Sequence, residues 1–427
     1  MSMEALPVEV IRHILKMTLP SREEAMRLGR ISLLDTPWSL TFVSSLWRAI
    51  ALDIPGLWSS ITIIIPLSSA PWTNYPARLL ELQISRSGVH PLQVIFISDE
   101  TPGWTTAKLF TTLVESCDRW ETLELRSSEW PLESLPRLRE RLPLLREMLL
   151  YSISPGRNSP LHMADIFQSM PQLRVARFRD LRVFSFALPG ARDYINVPWA
   201  QLTKFEGMYA DELRLAVNLV ECKVEVATTS QEPKFFAHLK TLTLLHAQSD
   251  FLGSLLLPAL EDFLTDIYCD QFEHVIAFLE QSACSLRKFR MFSHPPIDQF
   301  LRVLMCNPHI VEIGIVGGEV LQGQRINDVV AALTLRPQQP VYAPELTRFL
   351  IHDHRRVLDL DAVLDMLDSR QDLFHLHGCA RLESFSLIVA RPQVFRGIFR
   401  ARIAALRAAG LEIELVAGDQ TYLSLES

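Results

Sequence analysis

The chain has 427 residues, of which 48% are hydrophobic and 21% are charged. This composition is too apolar for an intrinsically disordered protein and is sufficient for a large core. The 42 lysines and arginines are outnumbered by 49 aspartates and glutamates. The chain therefore lacks the basic excess that is typical of proteins that bind a phosphate backbone, and we expect no nucleic-acid partner.

Cysteine spacing and hydropathy indicate the environment of the chain. None of the six cysteines forms the C-x-x-C pair of metal and redox sites, so we expect buried apolar thiols, no metal and no cofactor. The first 15 residues lack the apolar core of a secretory signal. All apolar runs are shorter than the roughly 20 residues that a membrane-spanning helix needs. We therefore expect an intracellular protein, cytoplasmic or nuclear, without a membrane partner.

The first 60 residues have the pattern of two short amphipathic helices. Pro7 predicts the start of the first, because proline lacks the N–H that a first helical turn leaves unpaired, and Thr36 predicts the cap of the second. Large apolar residues at helical spacing form one stripe on each helix and continue just beyond them: Ile11, Ile14, Leu15, Val43, Leu46, Trp47, Ile50, Leu57 and Trp58. A bundle of about 45 residues is too small to bury this stripe alone, so the rest of the chain or a second protein must cover it.

Three motifs in this segment, in this order, resemble an F-box. They are Leu6-Pro7-Val8-Glu9, then Val43 followed by Trp47-Arg48, and finally Leu57-Trp58. The chain departs from the F-box pattern at Ser44, where cysteine is common, and over residues 21–35, which form a longer and more charged connection than usual.

This resemblance implies that the segment docks on a Skp-type adaptor of a cullin–RING ubiquitin ligase, by placing helices in a groove. The adaptor-binding residues that it implies are Leu6, Pro7, Ile11, Leu15, Val43, Trp47, Leu57 and Trp58. The alternative is that the same residues form the core of a small helical cap on the rest of the chain.

From residue 120 onward a strand motif recurs eleven times with the L-x-x-L-x-L pattern of leucine-rich repeats. Its copies begin at Trp120, Leu145, Leu173, Leu202, Leu219, Leu239, Leu260, Leu286, Ile310, Leu346 and Leu382. The spacing varies from 17 residues between Leu202 and Leu219 to 36 between Leu346 and Leu382. Helices are predicted in the longer gaps, over 164–170, 271–281, 298–306, 327–335 and 361–370.

The flanks of this region continue the alternation of strands and helices. Strands are predicted over 61–65, 92–96 and 411–416, and a helix over 78–85. We therefore predict an α/β fold with an F-box-like helical domain over 1–60 and a transition with the first repeats over 61–119. An irregular leucine-rich-repeat solenoid follows over 120–418, with one curved parallel sheet and helices on its outer side, and then a frayed tail over 419–427. The asparagine or cysteine ladder of regular repeats is absent, which predicts the irregularity.

Alternate positions of each predicted strand point away from the core, and charges on this face occur in blocks. The blocks, with one aromatic neighbour, are the candidate target-binding residues: Arg177, Arg179, Asp262, Asp266, Lys288, Arg290 and Phe292. Complementary charge would let such a face select a protein partner. The alternative is an ordinary solvated sheet face.

Enzymatic motifs such as G-x-S-x-G, H-E-x-x-H and the P-loop are absent from the sequence. Residues 314–318 contain three glycines but lack dinucleotide-loop spacing, so they predict a turn. His352 and His354 predict a solvated loop because further metal ligands are missing, and the same holds for His375 and His377.

We therefore expect a substrate receptor that is not an enzyme. It would hold an unidentified target protein near a ubiquitin-loaded enzyme. The alternatives are a leucine-rich-repeat interaction scaffold unconnected with ubiquitination, and an enzyme with a cleft between repeats, for which the sequence offers no evident nucleophile and base.

Overall fold

The computed structural model of the protein describes residues 6–28, 33–65, 77–98, 104–127, 134–151, 165–179, 196–207, 211–225, 234–246, 249–267, 271–292, 296–316, 324–353, 358–389 and 398–417. The chain divides into two compact units, residues 1–208 and residues 209–427. Both units are α/β with parallel strands, as predicted. The helices at the N-terminus belong to the same unit as the first strands.

The first unit contains five helices and six strands in its described residues. In chain order they are α1 (Val8–Met17), α2 (Arg22–Leu28), α3 (Ser45–Leu52), β1 (Ser60–Ile65), α4 (Ala77–Arg86), β2 (Leu92–Ser98), α5 (Trp104–Val114), β3 (Trp120–Ser127), β4 (Glu147–Tyr151), β5 (Val175–Arg179) and β6 (Lys204–Gly207). The six strands pair in parallel in the order of the sequence.

The second unit continues the same alternation. Its described elements are β7 (Glu221–Val224), β8 (Lys234–Phe235), β9 (Thr241–Leu244), α6 (Ser249–Gly253), β10 (Leu255–Leu256), β11 (Asp262–Thr265), α7 (Phe272–Ser282), β12 (Lys288–Met291), α8 (Ile297–Cys306), β13 (Glu312–Val316), α9 (Gln324–Leu333), β14 (Arg348–Asp353), α10 (Leu360–Asp372), α11 (Phe374–His377), β15 (Ser384–Val389), α12 (Ile398–Ala408) and β16 (Glu412–Ala417). Eight strands pair in parallel in sequence order, whereas β8 and β10 form a separate parallel pair.

The recurring motif marks a strand at each of its eleven copies. The first apolar residue of every copy lies at or just before the strand and is at most 2% exposed. Side chains then alternate between the two faces, as in β12, where Phe289 and Met291 are buried while Lys288 and Arg290 are half-buried. The eleven predicted strands and the three flanking strands, β1, β2 and β16, are therefore confirmed.

Helices cover the apolar face of the strands in the second unit. The rings of Phe263 on β11 and Phe289 on β12 stack with centroids 6.0 Å apart. Phe278 of α7 lies 5.6 Å from Phe263, and Phe300 of α8 lies 6.5 Å from Phe289. These contacts leave the charged alternate positions on the opposite face of the sheet.

The structure confirms six predicted helices, which are α1, α4, α7, α8, α9 and α10. In contrast, residues 165–170, within the segment predicted as a helix over 164–170, form turns. A segment this short, ended by Pro171, has too few hydrogen bonds to offset helix nucleation. Helices α2, α5, α6, α11 and α12 were not predicted. Within the described part of the chain, every helix is too short or too polar to cross a membrane.

The second N-terminal helix begins later than predicted. Residues 39–42 form a short 3-10 helix, and α3 begins at Ser45. Ser44 is extended and its hydroxyl accepts the N–H of Trp47 at 3.1 Å, so Ser44 is the cap rather than Thr36. Gly314, predicted as part of a turn, lies within β13.

Candidate functional site

The N-terminal helices have an apolar interior of their own. Helix α1 packs against α3, and Ile11 and Leu15 of α1 are fully buried together with Leu57. Trp58 is also fully buried, and its Nε1 donates to the carbonyl oxygen of Ala51 at the end of α3 (2.9 Å). The apolar residues that are spaced three and four positions apart in the sequence therefore pack the helices against each other.

Two tryptophans attach these helices to the strands and helices that follow. Trp38 and Trp58 meet edge to face, with ring centroids 5.0 Å apart. Trp38 Nε1 donates to Gln83 of α4 (3.1 Å), and Gln83 in turn donates to the carbonyl oxygen of Ser60 on β1 (2.8 Å). The guanidinium of Arg86 lies 4.4 Å from one tryptophan ring and 4.5 Å from the other, a cation–π arrangement. The helical segment is thus anchored to its own unit through its interior.

The eight residues implied as adaptor contacts fall into two groups. Five of them are buried in this chain: Ile11, Leu15, Trp47, Leu57 and Trp58. The other three, Leu6, Pro7 and Val43, are exposed. The five buried side chains cannot form a contact surface in this conformation, because each is already packed against other parts of the same unit.

A different set of apolar side chains forms the exposed surface of the helical segment. Among the described residues the exposed large apolar side chains between residues 6 and 52 are Leu6, Val8, Val10, Met17, Leu33, Leu34, Phe42, Val43, Leu46 and Leu52. Seven more such side chains occur in the rest of the described chain, so the helical segment carries ten of seventeen. Leu6 and Val43 belong to the implied adaptor contacts, and the other eight of these ten do not.

The sequence contains a signal for this surface. A helix that packs on one side needs one apolar stripe, and in α1 that stripe is Ile11 with Leu15. Val10 lies off the stripe, and Val8 lies on the same side as the stripe but one turn before Ile11. Both are exposed, so they are apolar residues in excess of what the interior uses. In α3 the same excess appears at Leu46, next to the buried Trp47.

Polar contacts hold the exposed helices in place around this surface. Arg12 of α1 forms an ion pair with Asp53 at the end of α3. Arg48 of α3 donates from Nε to the carbonyl oxygen of Thr41 (2.8 Å), and its guanidinium lies 6.0 Å from the ring of Phe42. These contacts fix the positions of α1, the 3-10 helix and α3 relative to one another.

On the sheet face of the first unit, the predicted basic block is paired with acids of neighbouring strands. Arg177 of β5 forms an ion pair with Glu147 of β4. Arg179 donates to both carboxylate oxygens of Glu206 on β6, at 2.6 and 3.0 Å, and to the hydroxyl of Tyr151 at 3.2 Å. Burial opposes the charged form of Arg179, but hydrogen bonds to Glu206 and Tyr151 outweigh it and raise the pKa above its usual value.

On the sheet face of the second unit, opposite charges alternate across four strands. Arg290 of β12 donates to Asp262 of β11 at 2.8 and 3.0 Å, and its Nε lies 3.7 Å from Glu312 of β13. Glu312 also pairs with Arg348 of β14 at 2.7 Å. Lys288 lies 3.9 Å from Asp262 at the side of this row. We call Asp262, Arg290, Glu312 and Arg348 the ion-pair row.

The candidate target-binding residues are therefore not separate charge blocks. The basic pair Lys288 and Arg290 and the acidic Asp262 neutralise each other, and Asp266 is 3.1 Å from His246 Nδ1. Phe292 is half-buried just beyond β12. The sequence places these residues on one face but does not reveal the pairing, since pairing depends on which strands are neighbours and in what register.

The residues considered for chemistry are structural groups in the described part of the chain. His352 and Asp353 end β14 and are buried, so the prediction of a solvated loop is wrong for them, while His354 lies outside the described residues. His375 and His377 belong to α11. Of the cysteines, Cys117 and Cys222 are buried as expected, but Cys306 is exposed. Burial raises the pKa of Cys222 to about 12, which keeps it a thiol.

The arrangement as a whole consists of an exposed apolar helical surface and a sheet face of paired charges. Among the described residues, no three His, Cys, Asp or Glu side chains are grouped as metal ligands. Surfaces of these two kinds suit contacts with other proteins. No protein-family model matches this chain, and no curated protein is significantly similar to it in sequence.

Proposed function

We propose that this protein is the substrate-recognition subunit of a cullin–RING ubiquitin ligase of the Skp–cullin–F-box type. The N-terminal helices would bind a Skp-type adaptor, and the sheet face would bind a target protein. The protein itself would perform no chemistry. Its contribution is proximity, since a target lysine held close to the ubiquitin-loaded enzyme reacts at a raised effective concentration.

One observation carries the adaptor half of this proposal. Ten of the seventeen exposed large apolar side chains of the described chain lie within its first 52 residues. Monomeric proteins rarely leave such a concentration of apolar surface in water unless it is an interaction site. The surface belongs to the segment whose motifs resemble an F-box, and its helices are held by contacts inside the unit.

The revised adaptor contacts are exposed residues of the helical segment. Leu6, Pro7 and Val43 remain from the motif-based set, and Val8, Val10, Phe42 and Leu46 join them. The five buried residues of that set support this surface from below. They act as its packing rather than as its contacts.

The repeat half of the proposal rests on the order and the direction of the strands. Within each unit the main strands pair in parallel in the order of the sequence, and each copy of the L-x-x-L-x-L motif supplies one strand. This order supports the irregular leucine-rich-repeat solenoid, with helices on its outer side, that we propose for residues 120–418.

The adaptor half can be tested with purified full-length protein and a recombinant Skp-type adaptor. Phe42→Asp with Val43→Asp places two carboxylates on the exposed surface, where both side chains are 59% exposed, so folding is retained. We expect adaptor affinity to fall at least about tenfold, as for the central residues of an interface. Val89→Asp is the matched control, because Val89 is 92% exposed in the same unit but outside the helical segment. Equal affinity of all three proteins would contradict the proposal.

The scaffold alternative draws on the burial of Ile11, Leu15, Trp47, Leu57 and Trp58. In that interpretation the helices cap the strands and never meet an adaptor. It predicts that wild-type protein shows no measurable binding to the adaptor, whereas our proposal predicts binding that the double aspartate variant loses.

A further inference from the structure

Helix α2 lies on the sheet face of the first strands, on the side opposite to α5. The ring of Phe96 on β2 lies 5.2 Å from Phe110 of α5, and Phe96 is in register with Leu125 of β3. Glu124, the preceding residue of β3, therefore points to the other face. There Arg22 of α2 donates from Nε to Glu124 Oε2 at 3.2 Å, and α2 also packs against β1.

The strand face beneath α2 combines isoleucines of β2 with two charged residues of β3, Glu124 and Arg126. Ile95 of β2 is in register with Glu124, and Ile97 lies two residues further on the same face. Glu124 is 7% exposed and Ile97 is 4% exposed. A carboxylate that is almost fully buried needs a cation beside it, and the guanidinium of Arg22 supplies one.

Helix α2 itself is held by few contacts. It has seven residues, which is too short for a helix that is stable alone. Ala25 is buried and Met26 is half-buried, but the neighbouring Glu23, Glu24 and Arg27 are exposed. The side chain of Arg22 is 60% exposed, so its ion pair with Glu124 is partly hydrated and weakened by solvent screening. The segment is therefore weakly docked, although Glu124, which it contacts, is almost fully buried.

We propose that α2 is a displaceable strap over a docking groove formed by Glu124, Ile95 and Ile97. The ligand of this groove is a short segment of a target protein that carries an arginine beside small apolar residues, as α2 does with Arg22, Ala25 and Met26. This inference goes beyond the adaptor proposal, because it names a site on the sheet face, the chemistry of its ligand, and the part of this chain that competes for it.

The test uses a fluorescent peptide with the sequence of residues 20–29 and two full-length proteins. The first, which we call the opened protein, carries Arg22→Glu and Ala25→Asp, and these changes remove both anchors of the tethered strap. The second is the wild type, in which α2 keeps the groove occupied. We expect the peptide to bind the opened protein at least about tenfold more tightly than the wild type, because the tethered strap competes at millimolar effective concentration. A peptide carrying Arg22→Glu is expected to lose this binding.

Two further proteins separate an open groove from a misfolded one. In a protein with both Arg22→Glu and Glu124→Arg, the ion pair is restored with its charges reversed. We expect α2 to dock in this protein, so that trypsin cleaves after Arg27 as slowly as in the wild type. Glu124→Gln in the opened protein is expected to lower the affinity for the wild-type peptide at least about fivefold, since the arginine of the peptide loses its carboxylate partner. Equal peptide binding to opened and wild-type protein, binding to neither, or binding that survives Glu124→Gln would each overturn the proposal. The assay contains no adaptor, so a negative result would not bear on the adaptor surface, which the Phe42 and Val43 variants test separately.

Discussion

Arg370 of α10 is fully buried, and its guanidinium meets backbone carbonyl oxygens rather than a carboxylate. Nε donates to Leu333 at 2.9 Å, Nη2 to Tyr342 at 2.9 Å and Nη1 to Ala343 at 3.3 Å. Burial lowers the pKa of Arg370 to about 10, which still leaves it charged at neutral pH. One side chain thus holds the connection between α9 and β14, which lies in one of the two longest gaps between repeat motifs.

Replacement of this arginine should destabilise the second unit. Arg370→Met keeps the length of the side chain but leaves three carbonyl oxygens without their donor, so we expect the free energy of unfolding to fall by about 3 kcal/mol. Urea denaturation of the full chain measures the change. Arg400→Met on α12 is the control, because Arg400 is exposed and its loss should alter stability by about 0.5 kcal/mol or less. Similar midpoints for the two variants would refute the role given to Arg370.

At the scale of elements, the ion-pair row depends on space as well as charge. Arg290 reaches Asp262 on one side and Glu312 on the other, and its aliphatic part crosses β13 at Gly314. A Cβ atom at Gly314 would lie 2.7 Å from Cγ of Arg290, which is closer than side-chain packing allows. The glycine in this strand therefore provides the gap through which an arginine joins two neighbouring strands.

Filling this gap should weaken the second unit. Gly314→Ala is expected to lower the free energy of unfolding by about 1 to 3 kcal/mol, because Arg290 must shift away from its carboxylates. Gly253→Ala is the matched control: a Cβ there meets no atom within 4 Å, and alanine favours the helix, so stability should be unchanged or slightly higher. In the Arg290→Ala background, Gly314→Ala should cost little, and an undiminished cost would show that Arg290 is not the cause.

The strands and helices of the structure show which features could be predicted from the sequence and which could not. Strand positions were predictable because each depends on a local motif such as Leu286 followed by Phe289 and Met291, whose alternation sets burial in any parallel sheet. Ion pairing on the sheet face was not, since Arg290 finds its partners only through the neighbouring strands. The resemblance to an F-box implies Ile11 and Trp47 as adaptor contacts, yet both lie on the apolar stripes of their helices, and such a stripe identifies the side of a helix that packs inward.

At the scale of the whole molecule, the composition and the exposed apolar surface have a common consequence. The mean hydropathy of the chain is +0.14, and its net charge at neutral pH is only −7 for 427 residues. Neither value opposes association through an uncovered apolar patch. The helical segment concentrates such a patch, so the isolated protein is expected to self-associate through it.

This expectation links solubility to the proposed adaptor. We expect the full chain expressed alone to be recovered mainly in aggregates, and coexpression with a Skp-type adaptor to increase the soluble fraction several-fold, because binding covers the apolar side chains and favours the folded state. The Phe42→Asp and Val43→Asp variant should be more soluble than the wild type when expressed alone, and its yield should no longer respond to the adaptor. Sedimentation of clarified lysates and size-exclusion chromatography measure both effects. If the adaptor raised the yield of the variant as much as that of the wild type, the benefit would have to come from a surface other than the N-terminal helices.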